Sequence, residues 1–145
     1  MRLTLYSDYS LRLLMYAAIK DPGLVTIQEV ADTYRISRNH LMKVAFQLGR
    51  DGFLETVRGR GGGLRLARKP DRIGLGEIIR STEDDLVLVE CFNPASNTCA
   101  IIKACRLRGA LSRALSAYLA VLDEYTLADL TARNLALERI LMPAA

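Results

Sequence analysis

All three cysteines of the chain lie in one short stretch, as Cys91, Cys99 and Cys105. The seven residues between the first two are rich in Asn, Pro, Ser and Thr, a composition that is typical of a loop and does not continue a helix. Thiolates are soft ligands that suit iron–sulfur clusters and zinc. Three thiols on such a loop therefore form a candidate site for a soft metal.

Two other chemistries fit the same thiols. Zinc in a structural site takes a closed set of four ligands and brings no redox response, whereas a thiol switch forms a disulfide on oxidation. The chain has no apolar run as long as a membrane span, and its first residues lack the apolar segment of a signal peptide. We therefore expect a cytoplasmic location, where thiols stay reduced and a structural disulfide is disfavoured.

The positive charge of the chain is concentrated in its first half. Of the 145 residues, 1–72 carry thirteen Lys and Arg against seven Asp and Glu, a net charge of +6, whereas 73–145 carry seven against nine, a net charge of −2. This asymmetry is expected if only the first half contacts a polyanion, although an ordinary solvated surface can carry the same charge.

The elements of the first half predict a helix-turn-helix. Apolar residues at helical spacing predict a first helix over 7–20, with Asp8 in its first turn, where the helix dipole favours an acidic residue. A capping box, Thr26-Ile27-Gln28-Glu29, starts a second helix that reaches about Tyr34. Ser37 is a suitable N-cap for a third helix, reaching about Arg50, which would enter the major groove. The predicted hydrophobic centre comprises Val30, Ala31, Ile36, Leu41, Val44, Ala45 and Leu48.

The start of the third helix carries residue types that contact DNA. Arg can bond bidentately to guanine, Asn to adenine, and Ser and Lys to phosphate. The predicted contacts are Ser37, Arg38, Asn39, His40 and Lys43. His40 is the only histidine, and its distance in sequence from the cysteines argues against a metal-ligand role.

A glycine-rich hairpin follows directly. Residues 52–57 and 63–67 have strand-like composition, and the connection Arg58-Gly59-Arg60-Gly61-Gly62-Gly63 predicts a basic wing. Arg58 and Arg60 can reach phosphates or the minor groove. The loop lacks the Lys-Ser/Thr of a nucleotide-binding loop, and it joins two strands rather than a strand and a helix. We therefore predict a winged helix-turn-helix DNA-binding domain over 1–72.

The second half, residues 73–145, is predicted to hold the cysteine loop and a dimerisation element. A short helix over 73–82 and an apolar run over 86–89 lead to Cys91, and a long helix runs from Arg106 to about Tyr125. Its apolar positions alternate by four and three, as a heptad-like seam of Leu111, Leu115, Tyr118, Leu122 and Tyr125. We expect a second copy to cover this seam in a two-fold homodimer, the alternative being packing on the chain's own winged helix. A capped short helix starts at Thr126, and the tail after it predicts nothing further. The fold class is thus mainly α with a small β-hairpin wing.

Enzymatic functions are disfavoured. The sequence contains no acid–base pair, nucleophile–histidine arrangement or cofactor loop. An electron carrier would have a cluster without needing the wing and its arginines. We therefore predict that the protein is not an enzyme.

Taken together, these motifs resemble the bacterial winged-helix repressors that bind iron–sulfur clusters, the group that includes NsrR, IscR and RirA. The resemblance runs from Met1 to about Asn134. It is carried by Met1-Arg2-Leu3-Thr4, Asp8-Tyr9, residues 37–43 and 57–63, the three cysteines, and Tyr125-Thr126-Leu127-Ala128-Asp129-Leu130. The third helix and the last of these motifs are most similar to the NsrR-type branch, which senses nitric oxide.

The resemblance implies a set of ligands and a signal. The ligands of an iron–sulfur cluster would be Cys91, Cys99 and Cys105. Asp8 of the other subunit would bind the remaining iron. IscR-type proteins, which hold a 2Fe–2S cluster, have a histidine where this chain has Arg108, and an arginine cation cannot serve as that ligand. The resemblance therefore favours a 4Fe–4S cluster over a 2Fe–2S cluster. The NsrR type implies a repressor that releases operator DNA when nitric oxide reacts with the cluster. The long spacing between Cys91 and Cys99 is more similar to the iron-responsive RirA type.

Overall fold

The computed structural model describes residues 2–142. Met1, which begins the first motif of the resemblance, and residues 143–145, at the end of the predicted second region, lie outside this part. The described helices and strands are α1 (Leu5–Lys20), α2 (Ile27–Tyr34), α3 (Arg38–Arg50), β1 (Leu54–Val57), β2 (Gly63–Leu66), α4 (Leu75–Thr82), α5 (Arg106–Asp123), α6 (Leu127–Thr131) and α7 (Leu135–Leu141). None of these helices combines the length and the apolar character needed to cross a membrane.

The first three helices form the predicted helix-turn-helix. Helix α1 begins at Leu5, two residues before the predicted start, because the Thr4 hydroxyl caps it by accepting a hydrogen bond from the Ser7 amide. The predicted capping box at the start of α2 is confirmed, with both reciprocal hydrogen bonds between Thr26 and Glu29 present. The seven residues predicted to form the hydrophobic centre are all buried.

Strands β1 and β2 form the predicted wing. They pair antiparallel, with Leu54 opposite Leu66 and Val57 opposite Gly63. The connection between them turns through Gly59 and Gly61, whose φ angles of 104° and 77° favour glycine. The hairpin is anchored to the helices by Val25, which exchanges two backbone hydrogen bonds with Leu64.

The hydrophobic core continues past the wing into the second half of the chain. Helix α1 packs against α3, α4, α6 and α7, and Ile73, Ile78, Leu127 and Leu141 are buried in the same cluster as the residues of the helix-turn-helix. Helix α7 is an element that the sequence analysis did not predict. The Asn134 side chain caps it by accepting a hydrogen bond from the Leu137 amide, and it packs against α1 with Leu141 buried in the core.

Helix α5 is fixed to the rest of the chain at its C-terminal end. The amide of Leu75, the first residue of α4, donates to the Tyr125 carbonyl at 2.9 Å. The Arg80 guanidinium donates two hydrogen bonds of 2.6 Å to the Asp123 carboxylate. None of the 18 residues of α5 is buried. With a mainly helical chain and a two-stranded wing, the structure confirms the predicted fold class.

Candidate nucleic-acid interface and metal centre

Helix α3 has one face in the core and the opposite face exposed. Its buried residues are Leu41, Val44, Ala45 and Leu48. All five residues predicted to contact DNA at its start are exposed. Ser37 is the N-cap, as predicted, but its side chain makes no capping hydrogen bond, so its hydroxyl remains available to another partner.

The exposed face of α3 also carries two large apolar side chains. Met42 is 46% exposed and Phe46 is 69% exposed. Neither residue was a predicted DNA contact, because an apolar residue inside a helix is usually assigned to the core. The signal was present in the helical phase, since both residues fall on the side that holds Asn39 and Lys43 rather than on the side of the buried residues.

The cations of this surface are not neutralised by the protein. Within residues 2–142, the five ion pairs join Asp8 to Arg12, Glu29 to Lys20, Glu55 to Arg65, Glu77 to Arg68 and Asp123 to Arg80. Neither Arg38 and Lys43 of α3 nor Arg58 and Arg60 of the wing takes part in them. These exposed cations can therefore meet a polyanion without first breaking an ion pair.

His40 contacts the start of α1 rather than a cysteine. The centroid of its ring lies 6.3 Å from that of Tyr9, with the planes tilted by 32°. Tyr9 is the neighbour of Asp8 on α1. The contact therefore joins α1, next to the predicted cluster ligand Asp8, to α3, the helix that is predicted to bind DNA.

Asp8 is linked to helix α2 through the side chain of Arg12. The Arg12 guanidinium binds both carboxylate oxygens of Asp8, at 3.0 Å from Nε and 2.8 Å from Nη2. The same guanidinium lies over the ring of Tyr34, 5.8 Å from its centroid, at the end of α2. Burial raises the pKa of Tyr34 to about 12, despite the opposing effect of the Arg12 cation. Tyr34 therefore remains a neutral phenol near pH 7.

The cysteine loop is ordered by a carboxylate beside Cys91. Glu90 accepts hydrogen bonds from the amide and the hydroxyl of Thr98, the latter at 2.7 Å, and so closes the segment between Cys91 and Cys99. The hydrogen bond from the Thr98 amide, and next that from its hydroxyl, hold the pKa of Glu90 below its usual value. The Cys99 amide donates to the Asn97 side chain at 3.1 Å.

The same loop is attached to the first turns of α5. Arg108 donates a hydrogen bond of 3.3 Å to the carbonyl of Cys91, so the residue at the IscR-type histidine position binds the backbone of a predicted ligand. Cys105 is the N-cap of α5, and its side chain makes no capping hydrogen bond. It lines a cleft of about 640 Å³ whose walls include Phe92 and Ile102.

The donor set fits a soft metal cluster, although one chain does not gather the donors. All three thiols are free and half-buried, and thiols are the ligands that iron–sulfur clusters take. Within residues 2–142, however, no three His, Cys, Asp or Glu side chains form a group that could hold a metal ion. The ligand set of Cys91, Cys99, Cys105 and Asp8 therefore stays a prediction.

The start of α1 is also tied to the segment that leads into the cysteine loop. Glu83 accepts hydrogen bonds from the Thr4 amide at 2.8 Å, from the Thr4 hydroxyl at 3.1 Å and from the Ser7 hydroxyl. Burial raises the pKa of Glu83, but these hydrogen bonds outweigh burial and bring the pKa below its usual value. Glu83 is thus ionised where it holds the start of the helix that carries Asp8.

Comparison with known sequences identifies close relatives. The profile of the Rrf2 family, described as iron-dependent transcriptional regulators, matches residues 3–133. The HTH-type transcriptional regulator NsrR of Bacillus subtilis strain 168 is 55% identical over 131 residues, which are 90% of each chain. The regulator of the same name from Halalkalibacterium halodurans is 50% identical over 142 residues, 97% of each chain. These relatives are transcriptional regulators and not enzymes, which agrees with the prediction.

Comparison with solved structures supports the same fold. The structure of CymR, the global cysteine regulator of B. subtilis, superposes with a TM-score of 0.73 at 27% identity. The match covers 91% of this chain and 97% of CymR. The helices and the wing therefore follow an arrangement that is already known from a solved regulator.

Proposed function

The chain belongs to the Rrf2 family of transcriptional regulators, and we propose that it is a homodimeric repressor that binds operator DNA and senses nitric oxide through an iron–sulfur cluster. One observation carries the proposal: three free thiols lie in the loop that leads into a helix with no buried residue, in a chain whose helix-turn-helix and wing present unpaired cations. The identity of about half of all residues with regulators named NsrR supports the choice of signal.

The cluster would be held between two subunits. Its ligands would be Cys91, Cys99 and Cys105 of one chain and Asp8 of the other. When bound, a 4Fe–4S cluster supplies iron that reacts with nitric oxide. A carboxylate is a harder and weaker ligand for iron than a thiolate, so Asp8 would be the ligand that is most easily displaced.

Contacts of Asp8 and its neighbour give a physical route from the metal centre to DNA. Arg12 joins Asp8 to Tyr34 at the end of α2, and Tyr9 contacts His40 at the start of α3. A shift of the start of α1 therefore acts on both helices of the helix-turn-helix. Because the half-sites of a dimer lie about one helical turn of DNA apart, a small change in the placement of α3 lowers operator affinity.

The α5 helix supports the homodimer. Of its predicted seam, Leu111, Leu115, Tyr118 and Leu122 are only half-buried in the single chain, and Tyr125, just beyond the end of α5, is exposed. An amphipathic helix whose apolar face is only half-covered gains further stability when a partner covers the rest. A second copy that covers the seam would also bring Asp8 of one subunit to the cysteines of the other.

A second candidate is an iron-responsive repressor of the RirA type. It is favoured by the seven residues between Cys91 and Cys99. The two functions share the cluster and the DNA surface and differ in the event that removes Asp8 from the iron. Structural zinc and a thiol switch remain outcomes of the same experiment.

The test is an absorption spectrum of anaerobically purified protein, taken before and after addition of a nitric oxide donor, with binding to a duplex selected by the protein measured in parallel. We expect an iron–sulfur band that is lost as DNA is released. Cys99→Ala should abolish the band and the response to nitric oxide, whereas Ser96→Ala, in the same loop, should leave both intact.

Other outcomes identify the alternatives. A band that ignores nitric oxide but disappears with an iron chelator indicates the iron-responsive repressor. A colourless protein with stoichiometric zinc indicates a structural site, and a disulfide formed by peroxide indicates a thiol switch. Either of the first two results rules out nitric oxide sensing through a cluster, and the third does so when the anaerobic protein also lacks an iron–sulfur band.

A further inference from the structure

Two exposed apolar side chains occupy the middle of the α3 surface that faces away from the core. Met42 and Phe46 are one helical turn apart and therefore neighbours on that face. They line a shallow hollow together with Asn39, Lys43 and Gln47. A phenylalanine that is 69% exposed gains little from the fold of the single chain, so packing does not account for it.

The core cannot take up these side chains. At 3.6 residues per turn, Phe46 points about 160° away from Leu48, which is fully buried. Val44 and Ala45 fill the space beneath the helix. The exposure of Phe46 therefore follows from the helical phase of α3 and does not depend on one choice of side-chain rotamer.

The charge around the hollow favours DNA as the occupant. Lys43 lies within it, and the exposed Arg50, one helical turn after Phe46, stands on the same side of α3. An apolar protein surface would have to desolvate these cations, whereas the major groove offers phosphates beside them. The major groove also exposes the C5 methyl group of thymine, which is an apolar partner for a phenylalanine.

We propose that Phe46, with Met42 beside it, reads thymine methyl groups in the major groove, so that each operator half-site carries A·T pairs opposite the middle of α3. This inference rests on the proposed DNA-binding function and adds a specificity determinant to it. Asn39 lies about 10 Å from Phe46 along the helix axis. An adenine bound by Asn39 and a thymine bound by Phe46 would therefore lie within the same half-site.

The test replaces thymidine by deoxyuridine, which removes only the methyl group. Anaerobically purified wild-type protein first selects its preferred duplex from a random library, and that duplex is then made with deoxyuridine at each thymidine in turn. We expect one or two positions in each half-site to lower wild-type affinity about fourfold, the value of one buried methyl group. Phe46→Ala should bind the thymidine duplex about fourfold more weakly than wild type does. Replacing thymidine by deoxyuridine should not lower the affinity of this variant further.

Matched variants separate this effect from a general loss of apolar surface. Ile140, on α7, is 70% exposed, and Ile140→Ala should keep the full response to deoxyuridine. Phe46→Leu retains an apolar side chain and should keep part of the response. Because Phe46 is exposed, all three variants should keep the thermal midpoint of wild type.

Several results would overturn the inference. The first is a selected half-site without thymine, and the second is a Phe46→Ala variant whose affinity still falls with deoxyuridine as that of wild type does. The third is a Phe46→Ala variant that loses the same affinity on every duplex and has a lower sedimentation coefficient than wild type, because that result indicates that Phe46 takes part in self-association. If wild type selects no duplex at all, the proposed function fails and this inference fails with it. Selection without any methyl effect refutes the inference alone.

Discussion

At the scale of single residues, Glu83 connects the start of α1 with the segment that leads to the cysteines. It lies at the end of α4, just before the segment that leads to Cys91. Its carboxylate accepts hydrogen bonds from Thr4 and Ser7, at the start of the helix that carries Asp8. A change in the segment before the cysteines can therefore act on the start of α1 within one chain.

Replacing Glu83 by Gln should weaken this connection in a pH-dependent way. The pKa of Glu83 is lowered in the folded protein, so its stabilising effect is complete above the unfolded value of about 4.3 and is lost as pH falls through the lower folded value. We expect Glu83→Gln to reduce the free energy of unfolding at pH 7 by about 1 kcal/mol, a value discounted for partial exposure. Urea denaturation at pH 7 and at stepwise lower pH measures the difference.

The neighbouring Asp84→Asn is the matched control, because it removes the same charge from an exposed side chain. Its unfolding free energy should follow that of wild type at every pH. If the difference between wild type and Glu83→Gln stays constant down to the acid limit, the ionised carboxylate is not the source of the stabilisation.

Residues that act locally were predictable, and Glu83 was not. The capping box joins Thr26 to Glu29, three positions along the chain, and can be read from the sequence, and the same is true of the box that starts at Thr126. Glu83 lies 79 residues from Thr4. No spacing in the sequence encodes such a pair, which forms only after α1 and α4 have packed against each other.

At the scale of elements, the junction of α4 and α5 depends on the absence of one side chain. A Cβ atom at Gly76 would lie 1.8 Å from Asp123 Oδ1 and 2.7 Å from Arg80 Nη1. The glycine thus makes room for the bidentate ion pair that joins the two helices. Hydrogen bonding to Arg80 holds the pKa of Asp123 below its usual value, so the pair persists at neutral pH.

Replacing Gly76 by Ala should therefore displace the Asp123 carboxylate. In a helix, Gly→Ala ordinarily raises the free energy of unfolding by about 0.5–1 kcal/mol. Gly109 in α5 has no atom within 4 Å of its Cβ position, and Gly109→Ala should show that gain. Gly76→Ala should show less than half of it in urea denaturation, because the ion pair is lost.

A double-mutant comparison identifies the cause. Asp123→Asn should destabilise the wild type but have no further effect in the Gly76→Ala background, because the carboxylate has already been displaced. Equal effects in the two backgrounds would mean that the ion pair tolerates the new methyl group. A full helix-propensity gain in Gly76→Ala would lead to the same conclusion.

Elements with a strong period were predicted and weaker ones were not. Helices α2 and α3 fall within one residue of their predicted ends, because their caps and their apolar spacing agree. Helix α7 has only seven residues, and two of its apolar side chains, Leu135 and Ile140, are exposed. Its only amphipathic signal is one pair of apolar residues a turn apart, Leu137 and Leu141, and the contact of this pair with the core sets its place.

At the scale of the whole molecule, one part of the single chain has a hydrophobic core, and the part that contains α5 has no buried residue of its own. The core joins the helix-turn-helix to α4, α6 and α7, whereas α5 has no buried residue. The donors for a cluster are likewise present in the described part but not gathered. A two-fold dimer through α5 would complete the helix packing and the metal centre at the same time.

A charge in the α5 seam should therefore separate the subunits. In a two-fold interface, Leu115→Glu places its charge close to its own copy in an apolar environment, so we expect a monomer by sedimentation velocity. Because two linked reading heads bind more tightly than one, affinity for a duplex with both half-sites should fall by roughly a hundredfold, and affinity for a single half-site should not change. Ala120 is exposed on the opposite face of α5, and Ala120→Glu should remain a dimer. A dimeric Leu115→Glu variant together with a monomeric Ala120→Glu variant would place the interface on the opposite face. The predicted seam would then be outside the interface and could not bring Asp8 of one subunit to the cysteines of the other.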